Sequence, residues 1–259
     1  MADLLYDARD GIARLTINRP ERRNAMSFEV LQGLRDAIAV AKSDDTVRVV
    51  VIAGVGDKAF CAGADLGNIA GDDGGAIGAH DGRGILADLF RDLWALGKPT
   101  IARVRGFALA GGFGLAMACD LVVAADDAEF GTPEINVGLW PYLITVPLLR
   151  SMPPRVALEL MATGRRVGAD EAARIGFVNR VVPVAELDGV VDSLATDLAS
   201  KSPLILRLGM HAFHRAYEMR ADDALDYLQS MLTITSLSDD AAEGVAAFVE
   251  KREATWRGR

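Results

Sequence analysis

Two short turns and one glutamate carry the residue types in this chain that could do chemistry. "AFCAGADL" (59–66) and "ALAGGFG" (108–114) are runs of small residues. Small side chains let a bound molecule approach backbone N–H groups closely, and a helix that starts at such a turn adds a positive end. Two amides converging from separate turns would stabilise an oxygen that gains negative charge. The same glycines would equally serve to pack a helix tightly against a strand. The glutamate is Glu134, which follows Pro133 in the apolar stretch "EFGTPEINVGLWP". A desolvated carboxyl has a raised pKa and can shuttle protons near neutral pH. It could as well be a charge at a helix N-terminus or one half of an ion pair.

Other chemistries find no foothold. Neither turn spells G-x-G-x-x-G or a Walker loop, so a dinucleotide or nucleotide fold is not signalled. No G-x-S-x-G elbow is present, and Ser151 sits beside prolines. No His/Glu pairing suggests a metal site. Cys61 and Cys119 lie far apart and read as small buried hydrophobes. His80, in the glycine- and acid-rich segment Gly67 to Gly84, reads as a solvated surface histidine, and that segment reads as a long loop.

These residues must be positioned by strands and helices that the spacing makes visible. "GIARLTINRP" alternates apolar and polar residues, as a half-buried strand ending at Pro20 does. Ser27 is placed to cap a helix from Phe28 to about Lys42, whose apolar side takes Leu31, Leu34, Ile38 and Val40 or Ala41. "VRVVVIAG" is almost continuously β-branched, which marks a strand buried on both faces. "GILADLFRDLWALG" is an amphipathic helix stopped by Gly97 and Pro99, and "TIARVRG" and "DLVVAAD" are further strands. This rhythm is the α/β pattern, in which ligands collect where strands end and helices begin. After about residue 150 the chain turns helical, with "FVNRVVP" the one strand-like run. The organisation expected is an α/β core over 1–200 and a helical C-terminal section over 201–259, with no linker.

Composition narrows the function classes. The chain has 259 residues, half of them apolar and a quarter charged, with a net charge of −8. That balance opposes non-specific nucleic-acid binding, which needs a basic face, although it leaves room for an anionic ligand on a few local cations or amides. "MADLLYDARDG" has no signal-peptide pattern, and no apolar run is long enough for a membrane span. A reduced, cytoplasmic setting is expected.

Taken together, "LTINRPERRNAMS", "KAFCAGADL", "RGFALAGGFGLAMACDLVVAADDAEFGTPEINVGL", "ALELMATGRRVGADEAARIGFVNRVVP" and "GVAAFVEKR" resemble the crotonase (enoyl-CoA hydratase/isomerase) superfamily along almost the whole chain. The resemblance implies a crotonase-like α/β fold of repeated ββα units, with a helical C-terminal section that joins subunits into trimers or hexamers. It implies a coenzyme A thioester as substrate, with no separate cofactor and no metal. The family's oxyanion hole falls on the amides of Ala64 and Gly111. Its adenine and pantetheine contacts map to the backbone of Ala62, Asp65 and Leu66. Its phosphate contacts look like Arg23 and Lys251, the latter reaching into a neighbouring subunit.

The chain also departs from the family pattern. Hydratases of this family use two glutamates. The second matches Glu134, but the first, three residues after Gly111, falls on Gly114. Where hydratases carry a glycine-rich turn after Trp140, this chain has Tyr142, Leu143 and Ile144, which implies a reshaped acyl pocket in which Trp140, Tyr142 and Gly114 take part. Tyr142 could orient a substrate or form apolar wall with its hydroxyl tied elsewhere. The bulky run looks like that of enoyl-CoA isomerases working with one glutamate. Hydration needs a base for water and an acid at the α-carbon, whereas moving a double bond needs only one group. Isomerisation or hydration of an enoyl-CoA is expected. The alternatives are another enolate reaction on a CoA thioester, such as decarboxylation, dehalogenation or hydrolysis, or a non-catalytic acyl-CoA-binding protein.

Overall fold

Alternate side chains of a strand point to opposite faces, so an uninterrupted apolar run needs cover on both sides. The run Val49–Gly54 has it. In the computed structural model, which describes residues 2–65 and 75–259 (backbone only at 75–79 and 81), Val50 and Ile52 enter the main core. Val49 and Val51 enter a second cluster on the other face, closed by Leu187, Val191 and Ala195 of one long helix.

Strands β1 (Leu4–Arg9), β2 (Ile12–Ile17), β3 (Val49–Gly54), β5 (Thr100–Val104), β7 (Leu121–Ala125) and β10 (Arg180–Val182) make the larger sheet, in the order β1-β2-β3-β5-β7-β10. Only the β1–β2 pairing is antiparallel. The smaller sheet has the order β4-β6-β8-β9, from β4 (Ala59–Cys61), β6 (Phe107–Leu109), β8 (Glu129–Gly131) and β9 (Arg166–Gly168). There β4, β6 and β8 run parallel and β9 antiparallel.

The chain repeats one device three times: a strand of the large sheet, a strand of the small sheet, then a helical turn. β3 and β4 lead to α2 (Gly75–Trp94), with α1 (Phe28–Ser43) lying before them. β5 and β6 lead to α3 (Gly111–Ala118), and β7 and β8 to the 3-10 turn Pro133–Val137. Helices α4 (Thr145–Ser151), α5 (Pro154–Thr163), α6 (Ala169–Ile175) and α7 (Leu187–Ala199) complete the packing around both sheets. Beyond residue 200 lie α8 (Pro203–Ala216), α9 (Ala221–Ser236) and α10 (Asp239–Glu250). The following tail folds back on α10, where the buried Asp240 carboxylate accepts from the amides of Arg257 and Gly258 and from the Ser202 hydroxyl. Several large apolar side chains of α8–α10 face outward, among them Leu232, Leu237 (82% exposed) and Phe248 (85%).

The strongly periodic segments fold as their spacing predicts. Ser27 accepts from the Val30 amide at the start of α1, and Ala41 rather than Val40 is the buried alternative. Both thiols are free and buried, and burial pushes Cys61 up to about 12 and Cys119 higher still. Two expectations need correction. The segment from Gly67 to Gly84 is not all loop, because α2 begins at Gly75 and carries exposed His80; residues 66–74 lie outside the described residues. Residues after 150 form two strands, not one: β9 is three residues long, too short to show a period of two.

Candidate active site

Three turns lie side by side because three parallel strands do. β4, β6 and β8 end at the same edge of the small sheet, and the chain leaves each of them into a turn that bears a residue of interest: Ala64, Gly111 and Glu134. The strand ends are joined directly there, since the Ala110 amide donates to the Gly131 carbonyl at 2.9 Å. The long strands β3 and β5 come shortly before the first two turns in the chain but do not run into them. The turns follow the short second strands β4 and β6, and this is what brings them together.

The first turn is held by a loop from near the start of the chain. The Met26 amide donates to the Gly63 carbonyl (2.8 Å) and the Asp65 amide to the Met26 carbonyl (2.9 Å). In such a parallel bridge the residue between, Ala64, turns its own N–H away from the bridge, and that N–H has no partner among the described residues. The Ala62 amide donates to the Arg23 carbonyl at 3.0 Å. Asn24 fixes the loop itself. Its buried amide group donates to the carbonyls of Val55 (3.0 Å) and Ala59 (2.7 Å), and its oxygen accepts from the Arg19 amide (3.0 Å). Arg19 then pairs with Asp65 at 3.0 Å, the two side chains nearly covered.

The second turn is strained. Ala110 has φ 51° and ψ −127°, a region that L-residues rarely occupy. Such strain costs about 1–3 kcal/mol and persists where surrounding structure enforces it. Here it sets the direction of the next amide, Gly111, the first residue of α3, whose N–H has no partner inside the helix. The two turns approach closely. A β-carbon on Gly63, which sits at φ 100°, would lie 3.4 Å from the Gly111 nitrogen and 2.7 Å from the Ala110 β-carbon. One on Gly111 would lie 3.7 Å from the Ala64 nitrogen. Gly54 is small for a related reason, because a β-carbon there would lie 2.5 Å from Asn24 Nδ2. If Ala110 is strained, Ala110→Gly stabilises the fold by about 1 kcal/mol, strain relief outweighing the entropy that glycine gains in the unfolded chain. It also loosens the Gly111 amide, so turnover falls several-fold while the melting temperature rises. A lower melting temperature would show that position 110 is relaxed.

The third turn holds Glu134. Pro133 opens the 3-10 turn and Gly138 closes it in the left-handed conformation. Among the described residues the Glu134 carboxyl makes no ion pair, and its Oε2 is buried with no hydrogen-bond partner. Burial pushes its pKa above the usual carboxylate range, against a smaller lowering by its own backbone amide. Thus the ion-pair reading of Glu134 falls away. Two amides with no partner among the described residues, and a desolvated carboxyl at the same sheet edge, can hold an oxygen as it becomes negative and move a proton beside it.

Gly114, one turn into α3, is buried. A β-carbon there would lie 2.2 Å from Ile144 Cγ2 and 3.2 Å from Phe90 Cζ. The position is therefore occupied by an apolar neighbour. Trp140 is half-buried against the core, whereas Tyr142 is 76% exposed. Arg23 lies exposed beside the first turn, with φ 51°. Lys251 caps α10 and is exposed. Leu66 falls outside the described residues. Sequence reasoning missed Asn24 and Ala110, and it named Ile144 only within a bulky run. Asn24 alone left a signal, as a polar residue beside the apolar pair Ala25-Met26.

The same arrangement has relatives. A family model described as "Enoyl-CoA hydratase/isomerase" matches residues 7–259. A crotonyl-CoA hydratase of Syntrophomonas wolfei is 36% identical over 258 residues, covering 98% of this chain and 97% of its own. A carnitinyl-CoA dehydratase of Escherichia coli K12 is 38% identical over 267 residues, the whole of both chains. Among solved structures, an enoyl-CoA hydratase of Mycobacterium smegmatis superposes with a TM-score of 0.94 at 35% identity, over 99% of each chain.

Proposed function

The chain belongs to the enoyl-CoA hydratase/isomerase (crotonase) family, and from that premise we propose that it moves a double bond in an enoyl-CoA, with Glu134 as its one acid–base group. The observation that carries this reading is the pair of facts at Glu134 and Gly114. One carboxyl is poised by desolvation, its buried Oε2 unpartnered among the described residues, and the other position has neither a carboxyl nor space for one.

The reaction follows from those groups. The thioester oxygen accepts from the Ala64 and Gly111 amides. The Glu134 carboxylate takes a proton from C2 of a 3-enoyl-CoA, and the electron pair spreads over a dienolate whose charge rests on that oxygen. The protonated Glu134 returns the proton at C4, giving the 2-enoyl-CoA with no water consumed. Outside the acyl group, Arg23 and Lys251 meet the phosphates of coenzyme A. The amides of Ala62 and Asp65 are spent within the chain, so these residues serve the adenine and pantetheine through their carbonyls, alongside Leu66. No cofactor beyond the coenzyme A of the substrate enters this scheme. The outward apolar side chains of α8–α10 are the surface through which we expect trimers or hexamers to form, bringing Lys251 to a neighbour's site. Free buried thiols fit a reducing cytoplasm.

Hydration is the second reading, favoured by the names of the relatives, a crotonyl-CoA hydratase and a carnitinyl-CoA dehydratase. It would require Glu134 both to activate water and to protonate C2. Incubating the protein with 3-enoyl- and 2-enoyl-CoA of several chain lengths decides between them. Interconversion of the two without 3-hydroxyacyl-CoA is expected. Accumulation of 3-hydroxyacyl-CoA at enzymatic rates would establish hydration, products from malonyl- or hydroxyacyl-CoA another enolate reaction, and tight binding of thioesters without turnover a binding protein.

A further inference from the structure

Position 114 lies three residues after Gly111 on α3, so both face the same side of the helix. Every residue of α3 is buried, and three elements close on position 114: α3 itself, Phe90 of α2, and Ile144 at the start of α4. Ile144 is 3% exposed, and its carbonyl accepts from the Leu148 amide. The colliding atoms are Cγ2 and, at 2.7 Å, Cβ itself, in a β-branched side chain with few χ1 choices. It cannot swing clear without moving the first turn of α4.

We propose that Ile144 determines the reaction specificity of this site: its side chain takes the volume that a carboxylate or a water molecule would need beside Gly114, leaving that face of the helix dry. The proposal rests on the one-carboxylate reading of Glu134 and deepens it. A substrate here gains nothing from solvent on the Gly114 side, so the chemistry is confined to moving protons already on the acyl chain. Hydration would add H at C2 and OH at C3, and the oxygen of that OH has no place to wait.

Packing and chemistry test this separately. Alanine for glycine inside a helix ordinarily raises the melting temperature. Here Gly114→Ala is expected to lower it by several degrees in the unmodified protein and to raise it in an Ile144→Gly background, which removes Cβ as well as Cγ2, a reversal of sign. For chemistry, Gly114→Glu combined with Ile144→Gly is expected to form 3-hydroxyacyl-CoA from 2-enoyl-CoA at least about tenfold faster than the unmodified protein, since a positioned acid–base group contributes about 10²–10⁴-fold. Gly114→Glu alone gives no such gain. Melting temperatures that simply add would overturn the assignment to Ile144, as would a folded double variant, still isomerising, that gains no hydration. By contrast, 3-hydroxyacyl-CoA from the unmodified protein would overturn the one-carboxylate reading, whatever the melting temperatures show.

Discussion

Glu134→Gln lowers kcat by about 10²–10⁴-fold, the usual worth of a positioned acid–base group, and leaves acyl-CoA binding within a few-fold. The substitution keeps the shape of the side chain and removes its ability to take a proton. The amides of Ala64 and Gly111 are backbone groups on other turns, so the thioester still docks. Kinetics with a 3-enoyl-CoA, together with calorimetry using a saturated acyl-CoA, separates the two effects. Wild-type turnover in the variant would remove Glu134 from the mechanism.

The same carboxyl gives a pH signature. Its folded-state pKa is raised by burial. Below the ordinary glutamate value it is protonated in both folded and unfolded chains and costs nothing. As pH rises through the interval up to its folded value, the unfolded chain ionises first, and the native state loses stability. Above that interval the cost of a buried charge is fully present. Glu134→Gln therefore melts higher than the wild type at neutral pH, and the gap closes in acid. Over the same interval kcat/KM of the wild type climbs as the carboxylate forms, with its midpoint above the ordinary glutamate value. A stabilised, inactive variant is what a desolvated catalytic group implies, whereas a residue kept for packing would lose stability when changed.

How much of this could be read beforehand depended on length. α1 declares itself because sixteen residues repeat a period that its buried face follows, and β3 because six residues form an almost unbroken apolar run covered on both faces. β4, β6, β8 and β9 are three residues each, and three residues hold no period. Yet it is β4, β6 and β8 that gather the site, so the motifs were legible before the sheet that joins them was. Gly114 was legible as a missing carboxylate, since that needs only a comparison of residues. That Ile144, thirty residues away, fills its space was not, because contact between distant segments is set by the packing of α2, α3 and α4. Tyr142 shows the same limit. Its neighbour Ile144 is buried and it is not, a difference fixed by the turn before α4 and invisible in a run of three bulky residues.

Gly112→Ala costs about 3 kcal/mol or more, the upper range for overpacking a filled interior, and removes activity with it. Helix propensity alone would predict a gain of about 1 kcal/mol, so the sign is diagnostic. A β-carbon at 112 would lie 2.1 Å from the Cys61 carbonyl oxygen and 2.7 Å from its carbonyl carbon. Those are backbone atoms at the end of β4, three residues before Ala64. They cannot rotate away as a side chain can, so α3 must move off β4, and the separation between the Ala64 and Gly111 amides grows with it. Comparison with position 114 isolates the cause. There the obstacle is a side chain, and Ile144→Gly removes it, Cβ included. At 112, neither Cys61→Ala nor Cys61→Gly clears the carbonyl, so stability and turnover stay low in either background. Recovery of the melting temperature by Cys61→Gly would mean that the thiol side chain, and not the backbone of β4, sets the distance between the two turns.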